Sequence, residues 1–244
     1  MQALHEKTLP INNISPFQTI SHGLIHDFNN ILTLLEGNIT LAQMSIDKHE
    51  RVSEILLNAE HACEQAKDLI NQMSFLCSYN ALNKKEISLT RIIQKSARLI
   101  SKDQDTICKI DVPEDLWLIS ANESQIFQVF FNLMLNAVQA MDKKRVLTIT
   151  GSNTYINKKN KLKMVADDYV VISITDNGCG IPPEEIDRIF EPYYTTKQNG
   201  KGLGLAITYL IIQEHKGYIT VNSQEGKNTT FSIYLPAYFN ENKQ

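Results

Sequence analysis

Cysteine is scarce and scattered in this chain. Cys63, Cys77, Cys108 and Cys179 form no CxxC pair, which argues against a disulfide framework or a cysteine zinc site and suits a reducing compartment. No apolar run approaches the roughly 20 residues that cross a bilayer. The opening MQALHEKTLPINN lacks the apolar core of a signal peptide. Charge of one sign is missing too: 24 Lys and Arg stand against 27 Asp and Glu, a net charge of -3. That balance lacks the basic signature of a nucleic-acid binder. There are no internal repeats and no low-complexity segments. These absences predict a soluble, cytoplasmic protein, without a membrane segment in this chain. Its 244 residues, 43% of them hydrophobic, suffice for one large domain or two ordinary ones.

What is present begins with a loose lead-in over 1–14 and the stretch from Ile20 to Met44. Ile20, Leu24, Phe28, Ile31, Leu35 and Ile39 recur at three- or four-residue steps. They predict one long amphipathic helix from about Ser15-Pro16 to Ser45. A second stripe, His22, His26, Asn30, Thr33 and Gly37, faces elsewhere and puts His26 on a polar face beside Asp27. A carboxylate there can hold one ring nitrogen protonated and leave the other free to attack. Taken alone, the helix favours the plainer alternative, an ordinary histidine on a solvated face. Beyond Asp47–His49, a second apolar stripe from Val52 to Leu76 predicts a helix over about 50–79. Two antiparallel helices offer a seam and not a core, so a second copy is expected to complete a four-helix bundle through residues 15–80. The alternative is packing on the downstream domain.

After a polar linker at 81–85 the pattern changes. Helices are expected over 87–101, 122–141 and 205–215. Strands are expected over 107–112, 116–119, 146–155, 169–175, 218–223 and 230–235. The lysine-rich stretch 157–163 reads as a solvated hairpin tip. Helices alternating irregularly with strands predict an α+β sandwich over 86–240, with a mixed sheet and helices on one face.

Four blocks in this part carry chemistry. Asn132 and Asn136 share a helix face, and their side-chain oxygens suit Mg2+ when phosphates complete the shell, although such a pair also occurs as polar surface. Asp176-Asn177-Gly178-Cys179-Gly180 follows a strand. Its glycines permit a close backbone approach, and the Asp176 carboxylate can accept a hydrogen bond from an exocyclic amine such as that of adenine. The plainer reading is an Asp-Asn-Gly turn. Gly200-Lys201-Gly202-Leu203-Gly204 opens a helix, where exposed N–H groups and the positive dipole end favour phosphate. It is neither a Walker loop nor a dinucleotide fingerprint. Glu225-Gly226-Lys227-Asn228-Thr229 is, alone, a turn.

Together, and with Ile189-Phe190-Glu191-Pro192-Tyr193 between the second and third, these blocks resemble the N, G1, F, G2 and G3 boxes of the histidine protein kinases. Those kinases belong to the superfamily of gyrase, Hsp90 and MutL ATPases. His26-Asp27-Phe28-Asn29-Asn30 resembles their H box. The resemblance runs from about residue 15 to 236.

The resemblance implies a sensor histidine kinase core that uses Mg-ATP, phosphorylates His26 and passes the phosphoryl group to an aspartate of a response regulator. By position it makes His26 the acceptor, Asp27 its activating base, and Asn30 the residue that orients water for dephosphorylating the regulator. It makes Asn136 the Mg2+ ligand with Asn132 in support. Asp176 would bind the adenine amine, with Gly178 and Gly180 shaping that wall and Thr229 reaching adenine through water. Gly200, Gly202 and Gly204 would line the phosphates at the hinge of a mobile lid, 194–201. Lys197 or Lys201 would neutralise phosphate charge.

In the ATPase branch a glutamate one turn before the metal asparagine serves as base for water. Asn132 stands there, which favours a kinase over a plain ATPase. Two departures follow from the resemblance. Asn228 replaces a usual glycine, so a positive φ is expected there, and Gln139 replaces a usual basic residue. A partner-specific phosphatase and a non-catalytic phosphotransfer scaffold remain the alternatives.

Overall fold

The computed structural model describes residues 7–8, 30–42, 44, 52, 54–59, 62, 84–101, 106–142, 145–160, 162–197 and 200–239. His26 and Asp27 lie outside the described residues, as do parts of both expected hairpin helices. The chain divides into two compact units, Met1–Asn12 with Leu82–Gln244, and Asn13–Ala81.

In the smaller unit the described residues are helical. Ile31, Asn38, Ile55 and Ala62 are buried, whereas Leu34, Ile39, Leu41, Met44, Leu56 and Leu57 are half or more exposed. The expected stripe therefore splits, with Ile31 inside and Ile39 out. Asn38 takes an inner position because its amide donates to the carbonyl of Leu34 at 2.9 Å, which satisfies a group that would otherwise be costly to bury.

The larger unit is built from β1 (Lys7–Thr8), β2 (Lys85–Ile87), α1 (Leu89–Ile100), β3 (Thr106–Asp111), β4 (Ile119–Ala121), α2 (Glu123–Ala140), β5 (Arg145–Ile156), β6 (Asp167–Asp176), α3 (Gly204–Glu214), β7 (Tyr218–Gln224) and β8 (Asn228–Pro236). Six strands form one sheet in the order β1-β7-β8-β6-β5-β3. The β3–β5 pair is parallel and the other pairs are antiparallel, so the sheet is mixed. Helix α2 packs between α1 and α3 and lies over β5 and β6, and α3 lies over β7.

Alternation fixes which sheet face meets the helices. Ile149, Ile174, Phe231 and Val221 make one buried row across β5, β6, β8 and β7; Ile172, Ile233 and Ile219 make the next. The opposite face carries hydroxyls, paired as Ser173 with Ser232 at 2.8 Å and Thr175 with Thr230 at 2.9 Å. From α2, the side chains of Ile126, Val129, Phe130, Leu133, Met134 and Ala137 enter the core at three- and four-residue steps. Each large one contributes roughly 1.5–3 kcal/mol on burial. Asn122 caps this helix by accepting from the N–H groups of Ser124 (3.1 Å) and Gln125 (3.3 Å).

The expected elements of this unit are present within one to three residues at most ends. Two small strands were not foreseen. Lys7–Thr8 extends the sheet along β7 instead of forming part of a loose lead-in, because a sheet edge offers unpaired N–H and C=O groups. Lys85–Ile87, read as linker and helix start, pairs with Ile119–Ala121. Asn157 and Asn160 brace the lysine-rich hairpin tip through their side chains, in keeping with a solvated turn. Among the described residues no helix is long and apolar enough to cross a membrane.

Candidate functional site

Two residues further along the strands, the apolar rows give way to a polar one. Asp176, Thr229 and Ser223 stand abreast on β6, β8 and β7. Asp176 is 3% exposed and Thr229 also 3%. Burial pushes the Asp176 carboxyl up from its ordinary value, and hydrogen bonds from the backbone N–H groups of Gly178 and Thr229 partly offset this. The Gly178 bond is 2.9 Å long. A buried carboxylate has about four lone-pair sites, and with the three backbone donors of Gly178, Thr229 and Asp176 itself on it it retains acceptor capacity for a further N–H.

Glycine is required on this wall by geometry. Gly178 lies against the carbonyl of Ala140 at the end of α2. Gly180 has φ +70, and a Cβ there would collide with the carbonyl of Gln224. The loop after β6 is stitched to its surroundings: the Cys179 N–H donates to Ala140 at 3.0 Å, and the Gly226 N–H donates to the Cys179 carbonyl at 2.6 Å. Ser223, which sequence reasoning missed, joins both loops. Its Oγ accepts from the Ile181 N–H at 2.8 Å, donates to the Asn228 carbonyl at 3.0 Å, and lies 2.9 Å from Thr229 Oγ1. A lone serine before a turn gives no signal of such a role. The positive φ expected at Asn228 falls instead on Gly226, at φ 75. Asn228 is already the first residue of β8, paired with Gln224, and the reversal is completed before it.

The facing wall is α2. Asn132 is committed at both ends: its Oδ1 accepts from Gln128 at 2.9 Å and its Nδ2 donates to the Gly204 carbonyl at 3.3 Å. It thereby ties α2 to the first residue of α3. Gly204 also lies close to the Asn136 amide. Among the described residues no side chain caps the start of α3, and its first N–H groups form a positive helix terminus beside Asn136. Leu203 is buried and anchors this start, while Lys201 is exposed. Gly202 takes φ 66, and its carbonyl accepts from the Tyr193 N–H at 3.0 Å. Gly200 abuts Thr195 and Lys197. Phe190 is a core residue between Tyr209 and Phe231, with ring centroids at 5.6 and 6.3 Å.

Lys197 reaches back to α2. Its ammonium donates to Gln139 Oε1 at 2.7 Å and to Asn136 Oδ1 at 3.3 Å. Desolvation at this place lowers its pKa from the ordinary lysine value. The structure thus brings Asn132, Asn136, Lys197 and Gly204 together, and sets Asp176, Gly178, Gly180 and Thr229 along the end of the sheet. Asn30 is helical and exposed in the smaller unit. A separate cavity of about 630 Å³ lies at the other end of the sheet, lined by Val165, Tyr169, Tyr209, Lys216 and Tyr218 among others. None of the four sequence blocks borders it.

Asn136 Oδ1 already holds a cation, the Lys197 ammonium, and is an oxygen donor of the kind Mg2+ takes. The residues present therefore fit a magnesium-bound nucleotide: a buried acceptor for an amine, backbone N–H groups for phosphates, and an amide oxygen for the metal.

Known proteins with this pattern are numerous. The family described as histidine kinase-, DNA gyrase B-, and HSP90-like ATPase matches residues 121–238. The chain is 32% identical to sensor kinase CckA of Brucella abortus over 99% of its own length and 26% of the relative. It is 31% identical to sensor histidine kinase ZraS of Escherichia coli over 89% of its length and 45% of the relative. It thus spans less than half of either protein. Among solved structures, the catalytic domain of histidine kinase ThkA superposes with a TM-score of 0.54 at 28% identity, covering 64% of this chain and 97% of that one. ThkA in complex with response regulator protein TrrA gives 0.64 at 21% identity, over 92% of this chain and 63% of that one.

Proposed function

From a chain that carries the ATP-binding transmitter core of the sensor histidine kinases, we propose a kinase that autophosphorylates on His26 and hands the phosphoryl group to an aspartate of a response regulator. The observation that carries this reading is the convergence of Asn136, Lys197 and the open start of α3 at the end of the sheet that holds buried Asp176. ATP is the substrate. Asp176 accepts from the adenine amine, Gly178 and Gly180 shape that wall by packing against the Ala140 and Gln224 backbone, and Thr229, oriented by Ser223, reaches adenine through water. The N–H groups around Gly202, Leu203 and Gly204 take the phosphates, with Gly200 at the hinge of a lid over 194–201. Lys197, with Lys201 nearby in sequence, neutralises phosphate charge.

Asn136 would hold Mg2+, with Asn132 fixing the helix face beside it. When bound, the metal supplies charge neutralisation for the phosphates. Asn132 has no basic group with which to activate water, and both its amide atoms are engaged. The site therefore binds and orients ATP without hydrolysing it. His26, oriented by Asp27, attacks the terminal phosphorus: an N–P bond forms, the bond to the ADP oxygen breaks, and ADP leaves. Asn30 serves the reverse duty, orienting water for dephosphorylation of the regulator.

Residues 15–80 form the homodimeric phosphotransfer domain, 81–85 the linker and 86–240 the catalytic domain, with 1–14 as lead-in. The exposed Leu34, Ile39, Leu41, Met44 and Leu56 support the dimer. ShkA was crystallised with AMPPNP and ThkA with a response regulator, which supports nucleotide and regulator as the ligands here. The reading places the chain in the cytoplasm, in itself or as part of a larger sensor.

The test is incubation with γ-labelled ATP and Mg2+, comparing the native chain with His26→Gln. Acid-labile, base-stable label on the native chain alone is expected. Nucleotide binding without label on either protein would favour a regulator phosphatase. Failure to bind nucleotide would sink the site assignment and leave a phosphotransfer scaffold.

A further inference from the structure

Resting on that reading of the site, we propose that Gln139 is a positioning residue: it parks the ammonium of Lys197 against Asn136, where that ammonium and Mg2+ compete for one oxygen. The argument starts from α2. Residues 136 and 139 are one turn apart, so their side chains share a face. Both end in amide oxygens, and both oxygens reach the same ammonium, at 3.3 Å from Asn136 and 2.7 Å from Gln139. The lysine comes from a loop 58 residues further on than Gln139. Neither amide is charged, so this is a cradle for a cation rather than an ion pair.

A metal ion held by the Asn136 oxygen would repel an ammonium on that same oxygen. With Mg-ATP bound, Lys197 would therefore leave Asn136. The bond to Gln139 is the shorter of the two and involves no metal ligand. Gln139 keeps the ammonium within the site, and its freed donors turn to the terminal phosphate, which ATP has and ADP lacks. Gln139 thus acts through Lys197 and touches neither nucleotide nor metal.

Gln139 is exposed, so Gln139→Met, which keeps the length and removes the acceptor, should leave the fold intact. In nucleotide-free, magnesium-free protein, acetylation by an N-hydroxysuccinimide ester is followed residue by residue by mass spectrometry. Lys197 should react about threefold or more faster in the variant, while Lys201, the internal reference, keeps its rate. Calorimetric titration then separates the nucleotides. Gln139→Met should weaken ATP about tenfold and ADP less than twofold, the size of one charge-assisted hydrogen bond. Lys197→Met should do the same, and the double variant should lose no more than either.

Restoring the cation on the helix, as Gln139→Arg with Lys197→Met, should recover ATP affinity. Unchanged Lys197 reactivity in Gln139→Met, or single losses that multiply in the double variant, would overturn the proposal. If the native chain binds no ATP, the nucleotide reading itself falls and takes the competition with it. The acetylation contrast still decides whether Gln139 holds Lys197.

Discussion

Asp176 is the residue on which recognition and stability pull apart. Burial raises its pKa, and a carboxylate raised on folding favours the folded state below its unfolded value. That support is withdrawn as pH rises through the folded value. The ionised form of Asp176 therefore weighs against folding, while on the proposed reading its charge serves the adenine amine. Two outcomes follow for Asp176→Asn. Thermal stability at pH 7 should be equal or higher, read by calorimetry. ATP affinity should drop about 10- to 100-fold, the loss of one hydrogen bond to a charged acceptor. The native chain should lose ATP affinity as pH falls through the raised value, starting above the range of an exposed aspartate, whereas Asp176→Asn should show a flatter profile. A parallel profile for the two proteins would remove Asp176 from the site.

Elements meet through His215, which ends α3 and touches the start of α2. Its Nδ1–H donates to the Ile211 carbonyl at 2.8 Å, and its Nε2 accepts from the Asn122 N–H at 3.1 Å. That pairing requires a neutral ring with the proton on Nδ1. Burial lowers the imidazole pKa, so the unfolded chain binds a proton more readily than the folded one. The contribution to stability is complete above the ordinary imidazole value and is lost as pH falls from there through the folded value. Chemical denaturation from pH 7.5 to 5 should show this slope. His215→Gln should cost about 1–2 kcal/mol at pH 7.5 and reduce the slope. An unaltered slope would move its origin to another group.

For the whole molecule, exposed apolar side chains in the smaller unit set the expectation. Leu34, Ile39, Leu41, Met44, Leu56 and Leu57 stay half or more exposed in a single chain, although water disfavours such clusters. Sedimentation equilibrium should find a dimer for the full chain. The double substitution Leu34→Glu with Leu56→Glu should shift it to monomer while leaving nucleotide affinity within about twofold, because the nucleotide groups lie in the other unit. A native chain that stays monomeric at high micromolar concentration would refute the dimer.

The sequence by itself determined the larger unit's three helices and all but two of its strands, Lys7–Thr8 and Lys85–Ile87, because period-3.6 and period-2 apolar patterns are local. The stripe of Ile126, Val129, Phe130 and Leu133 on α2, and Ile172 and Ile174 alternating with Val171 and Ser173, are readable without a fold. The four blocks were each weak alone, and became legible through their order and spacing, which resemble the boxes of the histidine protein kinases. Only the tertiary structure decided what depends on distance between segments. Lys7–Thr8 joining β7, Lys85–Ile87 pairing with Ile119–Ala121, Ser223 holding two loops, and Lys197 lying in the grip of Gln139 and Asn136 all pair groups that no local periodicity connects. A hydrogen bond between distant segments has no sequence period. It exists because apolar rows, once packed, bring particular strand ends and one helix face to the same place.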